Sequence, residues 1–286
     1  MGSGASITYI VEPVTTPAAC LLLLFSIDSG NPDAAGSRTV PPGNGVAAAA
    51  PAAAPDLAAM LGQIDGLHHR RDDPAALADE RRLVEQALGR APQDHEILWR
   101  AARFYFWLSD DPGAGAEARS GLGKTGWDIA ERAISANPGQ PDGYYWAAVN
   151  MGSYALGLGV VKALTLGLEA KFKSRLGRAG QLAPGYQNGG IDVAWGRFYE
   201  KLPWPKRDRK QAEAHLRRVL GQLNRNNLRA RVYLADTLAH DNRAGEAKKL
   251  LDEVAAAPLG RYDAPEERRA KALGVGLLPK VLALMN

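Results

Sequence analysis

The chain has 286 residues, of which 46% are hydrophobic and 23% are charged, so it can bury a sizeable core and has the charge content of a soluble protein. Its 35 basic and 31 acidic residues leave a formal net charge of +4, which does not indicate a nucleic-acid-binding protein. The single cysteine, Cys20, excludes a disulfide within the chain, and the five histidines form no ligand motif. We therefore expect neither a metal nor a cofactor.

Residues 1–55 are predicted to be a signal-like or disordered tail followed by a linker. The apolar run 17–27 is too short for a membrane-spanning helix, which needs about 20 residues. It has the length of a signal-peptide core, but no Lys or Arg precedes it, and it follows Cys20 where a lipoprotein signal would precede the cysteine. Residues 28–55 have the Pro, Gly and Ala content of a flexible linker. Export with a membrane tether and a cytoplasmic location both stay open, as does lipidation of Cys20.

From Asp56 onward, apolar-periodic runs alternate with short breaks, and no segment shows the two-residue alternation of a strand. Proline follows several of these runs, where it stops a helix because it lacks an N–H and clashes with the preceding turn. Pro92, Pro138 and Pro184 are spaced by 46 residues, twice over. Equal spacing on this scale is typical of a repeat architecture.

The clearest repeat begins near Leu228 and matches a tetratricopeptide unit of about 34 residues in two antiparallel helices. Ala235 and Ala247 occupy the positions where the two helices must approach closely. We therefore predict an all-α, tetratricopeptide-like right-handed solenoid of antiparallel helix pairs over residues 56–286. Helices near 56–70 and 74–91 would cap one end, and a helix over 264–286 the other, because each repeat buries its face only against neighbours.

The segments 142–152, 189–203, 227–236 and 247–254 resemble the T-component of TRAP transporters. That resemblance covers roughly residues 95–275 and implies a tetratricopeptide-like periplasmic protein, often a lipoprotein, that partners the solute-binding subunit of an uptake system. The same segments are also similar to the regulators of microtubule dynamics, a repeat family of similar layout.

The candidate binding site follows from the repeat geometry, in which the first helix of each pair lines the concave side. Aromatic and arginine side chains at outward positions of these helices are typical of recognition surfaces, although most aromatic residues of a solenoid fill its core. The predicted partner-binding residues are Trp99, Arg103, Phe106, Tyr145, Asn150, Arg197 and Asp236.

No catalytic constellation is evident. The stretch Gly121–Thr125 is similar to the end of a phosphate-binding loop, but Ala118 stands where that motif needs glycine, so we interpret the stretch as a break or bend in a helical segment. The sequence predicts a non-catalytic scaffold that binds a partner protein or a small apolar ligand, and that could form a homo-oligomer. It would be an exported accessory component of a TRAP-type uptake system or, alternatively, an intracellular tetratricopeptide adaptor.

Overall fold

The computed structural model describes residues 56–285, and all the regular elements in that range are helical. The predictions for residues 1–55, including Cys20, lie outside the described residues. The α-helices are α1 (Leu57–His68), α2 (Pro74–Arg90), α3 (His95–Ser109), α4 (Ala116–Ala136), α5 (Pro141–Leu158), α6 (Val160–Thr165), α7 (Leu168–Leu182), α8 (Tyr186–Lys201), α9 (Arg209–Arg218), α10 (Leu228–His240), α11 (Ala244–Ala256) and α12 (Ala264–Ala283), and a π-helical turn (Val219–Leu223) continues α9. The predicted all-α, tetratricopeptide-like solenoid is confirmed.

Local sequence signals explain where many helices begin and end. Side-chain carboxylates or amides accept hydrogen bonds from the first free N–H groups at five helix starts, at Asp73, Asp94, Asp208, Asn227 and Asp263. The three evenly spaced prolines each stand two residues beyond a helix, after α2, α4 and α7. The predicted pairs at 56–70 and 74–91 and the final helix match α1, α2 and α12.

The predicted helix pairs pack through small residues. Ala235 on α10 and Ala247 on α11 are both completely buried in one apolar core. In the preceding pair, a Cβ atom placed on Gly196 of α8 would lie 2.6 Å from Leu216 Cγ of α9. Glycine therefore lets these two helices approach within a distance that any larger residue would prevent.

The predicted bend at Gly121–Thr125 is wrong, because α4 runs without interruption through this stretch. Its glycines serve a different purpose, since α4 packs closely along α5. A Cβ on Gly123 would lie 2.6 Å from the backbone nitrogen of Tyr154 on α5, and one on Gly126 would clash with the side chain of Asn150. The additional length of this repeat therefore lies in a long, uninterrupted second helix.

The next long repeat uses its additional residues differently. Between α5 and α7 the chain forms the short helix α6, which is preceded by Gly159 (φ 89°) and followed by Gly167 (φ 71°). Positive φ values of this kind are readily accessible only to glycine. The chain therefore turns sharply at both ends of α6, so that this short helix forms a corner beside the concave face.

The last helix contacts the beginning of the solenoid through side chains. Arg71, in the turn between α1 and α2, binds Asp263 at the start of α12 at 2.8 Å, and Asp72 binds Arg268. Arg269 donates to the backbone oxygen of Trp107 on α3 at 2.8 Å. Residues almost 200 positions apart in sequence thus close the concave side of the repeat stack.

Candidate functional site

The closed concave side contains a cavity of about 520 Å³. Its walls come from the first helices α3, α5, α8 and α10, from the α1–α2 turn, from α6 and α7, and from the start of α12. Ligand cavities of roughly 300–1,000 Å³ enclose small molecules in other proteins. The predicted concave recognition surface is therefore a half-open cavity with walls from both ends of the solenoid.

Aromatic rings from neighbouring helices form one continuous part of the wall. The rings of Phe106 on α3 and Trp146 on α5 have centroids 5.8 Å apart, and Tyr145 stands edge-on to both Trp146 and Tyr186. Tyr145 is only 8% exposed, and burial raises the pKa of its hydroxyl. These rings are rigid contact surfaces that lose little side-chain entropy when a ligand is bound.

Trp107 contacts two arginine side chains in the charged part of the wall. The guanidinium carbon of Arg71 lies 4.4 Å from its ring centroid and that of Arg269 lies 3.2 Å away, both within range of a cation–π interaction. The indole N–H donates to the backbone oxygen of Arg71 at 3.2 Å. Burial lowers the pKa of Arg269 to about 10, which indicates that its charge is incompletely compensated.

Arg229 on α10 joins three parts of the wall. It binds Asp110 after α3 at 2.6 Å, both carboxylate oxygens of Glu266 on α12, and the hydroxyl of Tyr233 at 3.1 Å. Although burial opposes its charge, Asp110 and Glu266 hold the pKa of Arg229 well above its usual range. Arg229, Asp110 and Glu266 therefore all take part in ion pairs that cross the solenoid.

Four buried polar atoms on side chains that line the cavity have no hydrogen-bond partner among the described residues. They are Nε of Arg71, Nε of Arg103, Nε1 of Trp146 and the hydroxyl of Tyr262. Leaving such groups unpaired costs about 1–3 kcal/mol each. Burial also lowers the pKa of Arg103, although Asp65 binds it at 2.8 Å. These unpaired atoms lie beneath the cavity surface, beside positive charge that is incompletely compensated.

The opposite wall is apolar. It comes from the end of α5, from α6 and α7, and from α8, and its side chains include Leu156, Val160, Leu164, Leu168, Phe172 and Phe198. The rings of Phe172 and Phe198 are stacked at 4.7 Å with an interplanar angle of 9°. One cavity thus combines a cationic wall with an aliphatic and aromatic wall.

A strained turn forms part of the cavity wall at the start of α8. Gln187 and Asn188 both line the cavity and adopt left-handed conformations, with φ values of 53° and 55°. The backbone oxygen of Asn188 accepts a weak hydrogen bond of 3.4 Å from Asn227, the residue that caps α10. Non-glycine residues in this region cost of order 1 kcal/mol or more, and they concentrate at functional sites.

The structure brings four of the predicted residues to the cavity wall, namely Arg103, Phe106, Tyr145 and Arg197. These residues lie near one another because they are on the first helices of successive repeats, which together line the concave side. Arg197 lies with its guanidinium carbon 4.4 Å from the ring centroid of Tyr233 and binds Asp236 at 2.8 Å.

The other three predicted residues do not line the cavity. The guanidinium carbons of Arg100 and Arg103 lie 4.2 and 5.1 Å from the ring centroid of Trp99, and its indole N–H donates to Glu96. Asn150 is completely buried, and its amide donates to the backbone oxygens of Ala102 and Trp146 at 2.9 Å, so it joins α5 to α3. The carboxylate of Asp236 lies behind the residues that form the wall. Its Oδ2 atom pairs with Arg197 and Lys201, both of which line the cavity.

Sequence reasoning missed the charged half of the site. Trp107 was detectable, because it is one helical turn beyond Arg103 and shares its face. No comparable signal in the sequence points to Arg71, Arg229 or Tyr262. They lie in a turn, in the first turn of a helix and in a loop, and these three segments come together only because the two ends of the solenoid are in contact.

The described residues contain no group of three or more His, Cys, Asp or Glu side chains that could hold a metal ion. Over the same residues, no helix has the length and hydropathy required to cross a membrane.

Comparisons with known proteins agree with the fold. The family described as Regulator of microtubule dynamics protein 1-3 matches residues 60–188, from α1 to the first residues of α8. A comparison with curated proteins finds no match. Among solved structures, the chain is similar to TTC0263, a thermophilic TPR protein of Thermus thermophilus. Sequence identity is 22% and the TM-score 0.57, over 78% of this chain and 100% of that one.

Proposed function

We propose that this protein is a non-catalytic binding module whose cavity encloses the apolar part of a ligand and pairs with an acidic group on it. The observation that carries the proposal is the two-sided cavity itself. The aromatic and aliphatic wall offers area to an apolar body, and the cationic side chains that line the cavity, among them Arg103 and Arg197, can pair with a carboxylate. A small molecule or the acidic end of a partner protein would present both features.

The charge balance of the wall supports an anionic ligand. Six Lys or Arg residues line the cavity against four carboxylates. Arg229 already satisfies Asp110 and Glu266, and Arg71 satisfies Asp263. Arg103, Arg197 and Lys201 pair with Asp65 and Asp236, which do not line the cavity, so the cations stand at the cavity surface and their carboxylate partners lie behind it. An anion is therefore favoured over a cation as the occupant, since charge in a partly desolvated site is weakly screened.

The same pairing argues against catalysis. A general acid or base must reach a substrate proton at hydrogen-bond distance. Three of the four wall carboxylates, Asp110, Asp263 and Glu266, are engaged instead with arginines from other parts of the chain, and this pairing holds the ends of the solenoid together. The fourth, Glu169, is paired with two lysines. The geometry therefore supports binding, with the charged groups holding the wall in place.

Calorimetric titration with dodecanoate tests the proposal, because this probe combines a carboxylate with an apolar chain. We expect saturable binding, weaker binding of dodecanol, and a loss of at least about tenfold in dodecanoate affinity in Arg103→Met, since a charged hydrogen bond contributes roughly 1.5–3 kcal/mol.

Arg100→Met is the matched control. Arg100 is on the same helix and binds the same Asp65, but it does not line the cavity. Each variant leaves Asp65 with the other arginine as a partner. Equal dodecanoate affinity in the two variants, or no binding by the parent, would contradict the proposal.

The cellular setting is a second part of the proposal. We propose that the module serves as an exported accessory component of a TRAP-type uptake system, which the resemblance of residues 142–152 and 189–203 to T-components supports. The match to regulators of microtubule dynamics over residues 60–188 favours a second candidate, an adaptor inside the cell. Fractionation of cells that express the full chain separates the two, since accumulation in the cytoplasm alone would contradict the exported role.

A further inference from the structure

One surface outside the cavity combines the most exposed aromatic residue of the described chain with aliphatic side chains. Trp204, in the loop between α8 and α9, is 87% exposed. Val161 on α6 and Leu166 after it are 67% and 51% exposed. Because water disfavours such exposed apolar side chains, a group of them tends to mark an interaction surface.

An ion pair joins the two segments that bear these side chains. Lys206, two residues after Trp204, binds Glu169 in the first turn of α7 at 2.6 Å, and Lys173 binds the same carboxylate at 2.8 Å. Glu169 is three residues after Leu166. The Trp204 loop therefore lies against the corner formed by α6 and α7. We call Val161, Leu166 and Trp204, together with Lys162, Lys206 and Lys210, the Trp204 patch.

The surroundings of the Trp204 patch are strongly basic. Residues 156–175 and 201–210 together contain nine Lys or Arg and two carboxylates, whereas the whole chain has a formal net charge of only +4. One of the two carboxylates, Glu169, is already paired with two lysines. Arg175, Lys201 and Arg209 pair with carboxylates outside these two segments, and the remaining lysines and arginines leave an excess of positive charge near the protruding apolar side chains.

We propose that the Trp204 patch docks on an anionic lipid bilayer. Tryptophan prefers the interface between lipid and water, aliphatic side chains insert beneath the headgroups, and lysines near the surface are attracted to anionic lipids. The charge complementarity favours this partner over a protein surface, because lysine is depleted from protein interfaces. Nucleic acid fits less well, since its phosphates offer no place for Val161 and Leu166.

The placement beside the cavity is consistent with this docking. Leu156, Val160 and Leu164 line the cavity, and Val161 follows Val160 directly on α6. A bilayer at the Trp204 patch would therefore lie next to the apolar wall of the cavity. The docking itself is independent of the cavity, because it depends only on exposed side chains and charge.

Co-sedimentation of the full chain with vesicles tests the proposal. We expect binding to phosphatidylglycerol vesicles at low salt, weaker binding at high salt because the lysine attraction is screened, and little binding to phosphatidylcholine vesicles. Trp204→Ala with Val161→Ser should lower the partition coefficient by at least about tenfold, since it removes most of the inserted apolar area. Lys162→Glu with Lys210→Glu should weaken binding to anionic vesicles only.

Val275→Ser is the matched control, because Val275 on α12 is 71% exposed and lies outside the Trp204 patch. It should bind like the parent. Unchanged vesicle binding by the Trp204 and Val161 variant, or no preference of the parent for phosphatidylglycerol, would overturn the proposal. So would a dimer of the parent in solution that Trp204→Ala dissociates, since the patch would then join two copies of this chain.

Discussion

At the scale of single residues, Glu80 and His68 form a buried pair that behaves unlike a surface ion pair. The two side chains lie 2.8 Å apart between α1 and α2, and Glu80 has no measurable exposure. Burial raises the pKa of Glu80 to about 7 and lowers the pKa of His68 well below its ordinary value. Near neutral pH His68 is therefore uncharged, and Glu80 is protonated in a substantial fraction of the molecules.

This pair predicts a pH-dependent effect of Glu80→Gln. Because the pKa of Glu80 is raised from 4.5 in the unfolded chain to about 7, its contribution to stability is complete below pH 4.5. That contribution is lost as the pH rises through 7, whereas glutamine stays neutral throughout. The free energy of unfolding of the variant should therefore rise relative to the parent between these pH values, by roughly 3 kcal/mol.

Denaturant unfolding at a series of pH values measures this difference. Glu85→Gln is the control, because Glu85 is an exposed residue on the same helix, and its difference from the parent should stay nearly constant. A constant difference for Glu80→Gln would show that Glu80 ionises normally in the folded protein.

The part of the site that depends on the local periodicity of a helix could be predicted from the sequence, whereas the part that depends on contacts between distant elements could not. Arg103, Phe106, Tyr145 and Arg197 were predictable because helical periodicity fixes which positions of a first helix face the concave side. The role of Asn150 was not, because its hydrogen bond to Ala102 joins α5 to α3, and the close approach of Gly126 on α4 also depends on how the helices pack. The contacts of Arg71 with α12 were also unpredictable, since they join the two ends of the repeat stack.

At the scale of elements, the close packing of α4 on α5 makes neighbouring glycines unequal. Gly121 has no atom within 4 Å of an added Cβ, whereas a Cβ on Gly123 would meet the backbone of α5. Replacing Gly121 with Ala should stabilise the protein by about 0.5–1 kcal/mol through helix propensity. The same replacement at Gly123 should destabilise it by about 1–3 kcal/mol, because a backbone cannot move aside cheaply.

Thermal unfolding of the two variants checks this prediction, and each serves as the control for the other. Equal melting temperatures would mean that α4 and α5 are not in register as described. The sequence-based interpretation of a bend failed here because glycine is equally compatible with a bend and with a close helix contact.

At the scale of the whole molecule, the repeats alone would leave an open concave surface. Ion pairs and the arginine contacts on Trp107 convert that surface into a cavity, because they connect the α1–α2 turn and α3 with α10 and α12. The repeat architecture was predictable from the spacing of prolines and small residues. Closure was not, because it depends on individual charged side chains at the ends of the stack.

The central claim, that the closed cavity is the binding site, is tested most directly by amide hydrogen exchange with and without dodecanoate. We expect dodecanoate to slow exchange in the elements around the cavity, at the end of α3, in α6, in the Gln187–Asn188 turn and at the start of α12. Exchange in α11, which contributes no lining residue, should not change. Slower exchange confined to α11 or other parts away from the cavity, or no change anywhere at saturating dodecanoate, would contradict the account.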